Sequence, residues 1–114
     1  MGQGAVVKTI YISGQMTGIE CFNFKTFFYW QVMLERKGWD VINPAEHDCL
    51  KMLDGWVYTA DQWDALIAYD LKLIEDEADA IFMLKGWAGS RGARLEYEAA
   101  VKKGIVIKYE REED

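Results

Sequence analysis

Residues 78–109, ADAIFMLKGWAGSRGARLEYEAAVKKGIVIKY, hold an apolar run, a glycine-rich turn, a helical stretch and a second apolar run, in that order. Ala78–Leu84 is short and almost wholly apolar, which suits a strand buried on both faces. Lys85–Gly89 interrupts it. Ser90 then supplies a hydroxyl suited to cap a helix over Arg91–Lys103, and Gly104 supplies the residue type that ends one. Ile105–Tyr109 is again a β-rich run. Two strands joined through a helix form a βαβ unit, which is parallel with a right-handed crossover.

The same alternation extends upstream. Ala60–Glu77 carries Trp63, Leu66, Ile67, Leu71 and Ile74 at helical spacing. Trp39–Ile42 is a short strand closed by Asn43-Pro44. Asn23 stands where a cap would start a helix bearing Phe24, Phe27, Phe28 and Val32, and Gly38 closes that helix. Val6–Ile12 is the first strand, and Ser13–Gly18 is the glycine-flanked loop after it. Residues 45–59 have no regular pattern, and loops of that length are commonly functional or packed on a partner. The order β-α-β-α-β-α-β predicts a flavodoxin- or Rossmann-like open parallel sheet of about four strands with helices on both faces. The 114 residues contain no repeat and predict one domain spanning 1–114. Ligands of such folds sit beyond the carboxyl ends of the strands. Tyr11–Gly18, the loop after Ile42 and Lys85–Glu96 are therefore expected to converge.

Apolar residues make up 51% of the chain and charged residues 28%, a globular balance. Thirteen basic against nineteen acidic residues give a net charge of −6, which argues against a duplex nucleic-acid footprint. Part of the acidic excess is the terminal group Glu110, Glu112, Glu113 and Asp114. A small anionic ligand is still compatible, because a local cradle outweighs a global field screened beyond about 8 Å. No apolar run reaches the roughly 18 residues of a membrane helix, and the first residues lack a signal-peptide core. The expectation is a cytoplasmic protein that does not engage a membrane. Cys21 and Cys49 lack CxxC spacing and His47 is the single histidine, so neither a zinc site nor a Ser-His-Asp triad is expected.

Chemistry-bearing residues then stand out by position. Asp70 lies three and four residues after Ile67 and Leu66 and four before Ile74, so it falls on the apolar stripe. A carboxylate there is desolvated with a raised pKa, or paired with a donor, or sits at the stripe's edge reaching water. Glu96 shares a helix face with the small residues Ala93 and Ala100, near the positive end of its helix. The alternative is an ordinary exposed glutamate. Two carboxyls facing one cleft would suit glycosidic chemistry, one attacking or stabilising the anomeric carbon, the other protonating the leaving group. Ser90-Arg91-Gly92-Ala93-Arg94 combines a hydroxyl cap, free N–H groups and two cations, either an anion site or plain capping with solvated arginines. Tyr11, at the exit of the first strand, is placed to hold a carboxylate or to pack against a helix. Trp87, beside the turn, either stacks on a base or belongs to the core or a subunit contact.

These blocks resemble the nucleoside 2-deoxyribosyltransferase-like superfamily, which includes the 2'-deoxynucleoside 5'-monophosphate N-glycosidases. Tyr11, Gly14 and Gly18 match its Tyr-x-x-Gly-x-x-x-Gly loop, Asp70-Leu71 its Asp-Leu pair, and Ser90, Gly92 and Glu96 its Ser/Asp-x-Gly-x-x-x-Glu block. YISGQMTG (11–18), VINPAE (41–46) and GWAGSRGARLE (86–96) are similar to blocks of short phage and bacterial members. The resemblance spans about residues 6–108. It implies a nucleotide or nucleoside as small-molecule partner, with Glu96 as nucleophile, Asp70 protonating or holding the departing base, and Tyr11 orienting Glu96. Gly14, Gly18, Ser90 and Gly92, with Arg91 and Arg94 beside them, would line the sugar-phosphate end. Serine at position 90, where the transferases often carry aspartate, implies a monophosphate. Arg94 stands where the hydrolases commonly have a small residue. The resemblance also implies homodimers or larger homo-oligomers, and chemistry run by carboxyls without metal or cofactor. Hydrolysis and glycosyl transfer both fit, as does a nucleotide-binding module without turnover, a sensor or sponge.

Overall fold

A computed structural model of the protein describes residues 7–16, 23–46 and 59–110. Within these residues the chain runs β1 (Thr9–Ser13), α1 (Phe24–Arg36), β2 (Asp40–Ile42), α2 (Ala60–Glu77), β3 (Ala80–Met83), a 3-10 turn (Trp87–Gly89), α3 (Arg91–Lys103) and β4 (Val106–Tyr109). Gly18, Cys21, His47, Cys49, Trp56, most of the 45–59 loop and the last four residues of the acidic terminus lie outside them.

The four strands form one parallel sheet in the order β2-β1-β3-β4. This is the α/β open sheet that the alternation predicts. Thr9 aligns with Asp40, Ile10 with Ala80, and Ala80 with Val106. The chain moves from β1 to β2 on one side, then returns over the sheet to β3 on the other. The strand order thus reverses at β1, and the crevice opens at the carboxyl ends of β1 and β3.

Strand alternation divides the core into two layers. Ile10, Ile12, Ala80 and Phe82 pack with Phe27, Trp30 and Leu34 of α1. Tyr11, Ile81 and Met83 pack with Ile74 of α2 and with Ala93 and Ala100 of α3. Small alanines at those two positions let α3 lie close on the sheet.

Helix limits follow local chemistry. Thr59 closes a capping box with Gln62, its hydroxyl accepting from the Gln62 N–H. Gly104 ends α3 in the left-handed region with φ 81. Asn23 departs from the expected cap. It sits at the right position but with φ 63, and its side-chain amide donates instead to the Gln15 carbonyl at 3.0 Å. It ties α1 to the segment after β1. The strands are shorter than their apolar runs because pairing limits them. Ala78 still donates to the Ile74 carbonyl as the cap of α2, and Asp79 turns aside to accept from the Thr9 N–H at 2.8 Å.

Candidate functional site

A cleft of about 190 Å3 opens at the crevice. Its lining comes from every segment expected there: Gly14 and Met16 after β1, Pro44 after β2, and Ser90–Ala93 with Glu96 at the start of α3. Phe27 adds to one wall. The other wall is α2, through Trp63, Leu66, Ile67 and Asp70. The apolar stripe of α2 therefore has two uses. Ile74 is core, whereas Trp63, Leu66 and Ile67 are half-buried and face the cleft.

Both carboxyls belong to this cleft. Asp70 and Glu96 are each 6% exposed, which sets aside the solvent-facing alternative for both. Glu96 is held at its two oxygens. The Tyr11 hydroxyl donates to Oε2 at 2.8 Å and the Ser13 hydroxyl donates to Oε1 at 2.6 Å. Tyr11 is fully buried, and its phenol is held well above the ordinary tyrosine range. Burial is the main cause, followed by the negative charge of Glu96, then that of Asp70, and hydrogen bonding with both carboxyls. Tyr11 thus stays a neutral donor between two acids.

Ser13, expected to open the loop after the first strand and given no role of its own, instead ends β1 and holds Glu96. The available signal was its spacing. Residues two apart on a strand share a face, so a polar side chain at position 13 had to point where Tyr11 points.

The glycines differ in their reasons. A Cβ on Gly14 would come within 2.7 Å of the Leu84 side chain. The missing side chain there serves strand packing, and Gly14 borders the cleft through its backbone. A Cβ on Gly92 would meet Ile67 at 3.6 Å, an ordinary contact. Gly18 lies outside the described residues.

The cationic motif is engaged more than its sequence suggests. The Ser90 hydroxyl accepts from the Ala93 N–H at 3.2 Å, so it caps α3. Arg91 lines the cleft but pairs with Asp64 of α2 at 3.0 Å, with both side chains largely exposed. Arg94 is not part of the cleft lining. Its guanidinium donates to the Ala88 carbonyl at 2.8 Å and braces the 3-10 turn. Trp87 stacks on Tyr97 with ring centroids 4.6 Å apart, so it packs on α3 and does not face the cleft. Asp70, Glu96 and Arg91 are the charged residues of the cleft lining among the described residues. Among the described residues, no three of His, Cys, Asp and Glu gather as a metal-holding group.

A family model described as a domain of unknown function, DUF4406, matches residues 8–109. No curated protein matches the chain. The match covers most of the chain, and the protein belongs to the DUF4406 family.

Proposed function

We propose that this DUF4406 protein cleaves the N-glycosidic bond of a nucleotide or nucleoside, by hydrolysis or by transfer of the sugar, with Glu96 as nucleophile. The observation that carries this reading is the pair of buried carboxyls facing one cleft, one of them anchored at both oxygens. A transition state with oxocarbenium character gains from a carboxylate at the anomeric carbon and a second carboxyl placed to protonate the departing base. In the first step a Glu96 oxygen bonds to the anomeric carbon as the carbon–nitrogen bond breaks. The bond electrons leave with the base, and Asp70 gives that base a proton. In the second step water or another base displaces Glu96, and Asp70 takes a proton from the acceptor. The resemblance of the Tyr11, Asp70 and Ser90–Glu96 blocks to the deoxyribosyltransferase-like superfamily supports the same assignment.

The α3 N-terminus with Ser90 and Arg91 favours a 5'-monophosphate, and nucleotide substrates favour the cytoplasm as its location. The test is chromatographic detection of free base from a panel of nucleosides and their 5'-monophosphates. Release by the wild type should fall by several orders of magnitude in Glu96→Gln, roughly 4 kcal/mol or more of barrier. Near-normal release by that variant would overturn the mechanism.

A second reading is a binding module without turnover. The hydroxyls on both Glu96 oxygens favour it, since they also tether α3 to β1 as a structural link. Calorimetric binding of a panel member without base release would select it.

A further inference from the structure

We propose that Ser13 is a positioning residue for Glu96, fixing one carboxylate oxygen while Tyr11 fixes the other, so that Glu96 meets substrate in a single orientation. The inference rests on the glycosidic reading of the site and adds to it a residue that the matching motif leaves variable. In Tyr-x-x-Gly, position 13 is an unspecified x.

The geometry is specific. Ser13 is fully buried, and its hydroxyl lies 2.6 Å from Oε1 of Glu96. That distance falls in the roughly 2.5–2.7 Å range of a hydroxyl donating to an ionised carboxylate. A carboxylate held at one oxygen turns about its last bond, and a second donor on the other oxygen stops that rotation. The donor is also rigidly mounted. Ser13 aligns with Met83 in the sheet, its carbonyl accepts from the Leu84 N–H at 2.8 Å, and Gly14 packs directly on Leu84. The serine therefore rides on the sheet's central pair of strands and not on a loop.

The chemistry gives the hydroxyl a use in both steps. Glu96 loses negative charge as its oxygen bonds to the anomeric carbon and regains it when the acceptor displaces it. A donor on the carboxylate keeps the group ionised before the first step and stabilises it as the leaving group in the second. Among the described residues, the Tyr11 hydroxyl of β1 also donates to Glu96, Asp70 of α2 lines the same cleft, and Arg91 of its own helix lines it paired with Asp64.

The experiment compares wild type, Ser13→Ala and the near-isosteric Ser13→Cys. Carbon-13 NMR follows the Glu96 carboxyl in glutamate-labelled protein, assigned with Glu96→Gln, alongside base-release kinetics. In Ser13→Ala the Glu96 titration should move up by about one pH unit, since a donor to the charged form is lost. kcat should fall about ten- to a hundredfold with KM nearly unchanged, and the acid limb of the rate profile should move up with the titration. Ser13→Cys, a weaker donor, should fall between the two. An unmoved titration in a natively folded Ser13→Ala protein overturns the proposal. If the alanine variant does not fold, a wild-type titration in Ser13→Cys does the same. Absence of base release from the wild type would instead defeat the glycosidic reading, and the NMR titration would still decide whether Ser13 holds Glu96.

Discussion

Tyr11 links stability to pH. Its hydroxyl is neutral, buried and donated to Glu96, and its pKa is raised in the folded protein. The unfolded chain releases that proton near the ordinary value of about 10, while the folded protein retains it. Above that pH the folded state binds more protons, so the contribution is complete below about pH 10 and declines as pH rises further. Tyr11→Phe should cost about 1–3 kcal/mol at pH 8, the range for a hydrogen bond to a charged group. The difference from wild type should narrow above about pH 10 in denaturant titrations. A gap that widens with pH would contradict the assignment. Gly14 gives a steric prediction. Gly14→Ala forces a methyl to 2.7 Å from the Leu84 side chain and should destabilise by about 1–3 kcal/mol. Combining it with Leu84→Ala removes the Cδ1 and Cγ contacts but keeps the Leu84 Cβ at 2.8 Å, so only a minor part of the loss should return, a coupling that a double-mutant cycle measures. Gly92→Ala has ordinary space beside Ile67 and should leave the melting temperature nearly unchanged.

Of the helices, α2 is the one on which the cleft depends most. It supplies Asp70 and a whole wall, yet of its residues only Asp70 and Ile74 are buried. Its ends are therefore important. Thr59 caps the start, and at the other end the Lys103 ammonium donates to the carbonyls of Ile74 at 2.9 Å and Ala78 at 2.8 Å. A cation at a helix C-terminus complements the dipole; here it adds a second donor to the Ile74 carbonyl, which already accepts from the Ala78 N–H, and a donor to the Ala78 carbonyl beyond the helix. Lys103→Met should cost about 1 kcal/mol. The loss should appear as faster amide exchange in the last turn of α2, with β1 and β3 unaffected. Equal exchange throughout α2 in both proteins would show that the clamp contributes nothing.

We expect the protein to form a two-fold dimer. Phe28, Tyr29 and Val32 on the outer side of α1 are 36%, 55% and 49% exposed, an apolar group on a small domain with limited means of burying it. Light scattering at micromolar concentration should give twice the 13.2 kDa chain mass. A single-chain mass would remove this expectation; Asp70, Glu96 and Ser90–Ala93 line the cleft from the same chain in either case.

The order of elements and the carboxyl edge of the sheet were legible in the sequence. Strand and helix periodicities differ, and the punctuating residues Gly38, Ser90 and Gly104 act locally, so each element is specified by its own residues. The convergence of the segments after β1, after β2 and at the start of α3 follows from that order alone. Other features depended on contacts between distant segments. Helical spacing placed Asp70 at a stripe and Glu96 beside two alanines, but burial was decided by how α2 and α3 pack on the sheet. Arg91 and Arg94 read as free cations until α2 brought Asp64 to one and the 3-10 turn offered the Ala88 carbonyl to the other. Ser13 and Glu96 lie 83 residues apart, and Tyr11 and Glu96 lie 85 apart. No local pattern encodes those distances. They are set by the parallel pairing of β1 with β3 and by the close approach of α3, which only the assembled tertiary structure provides.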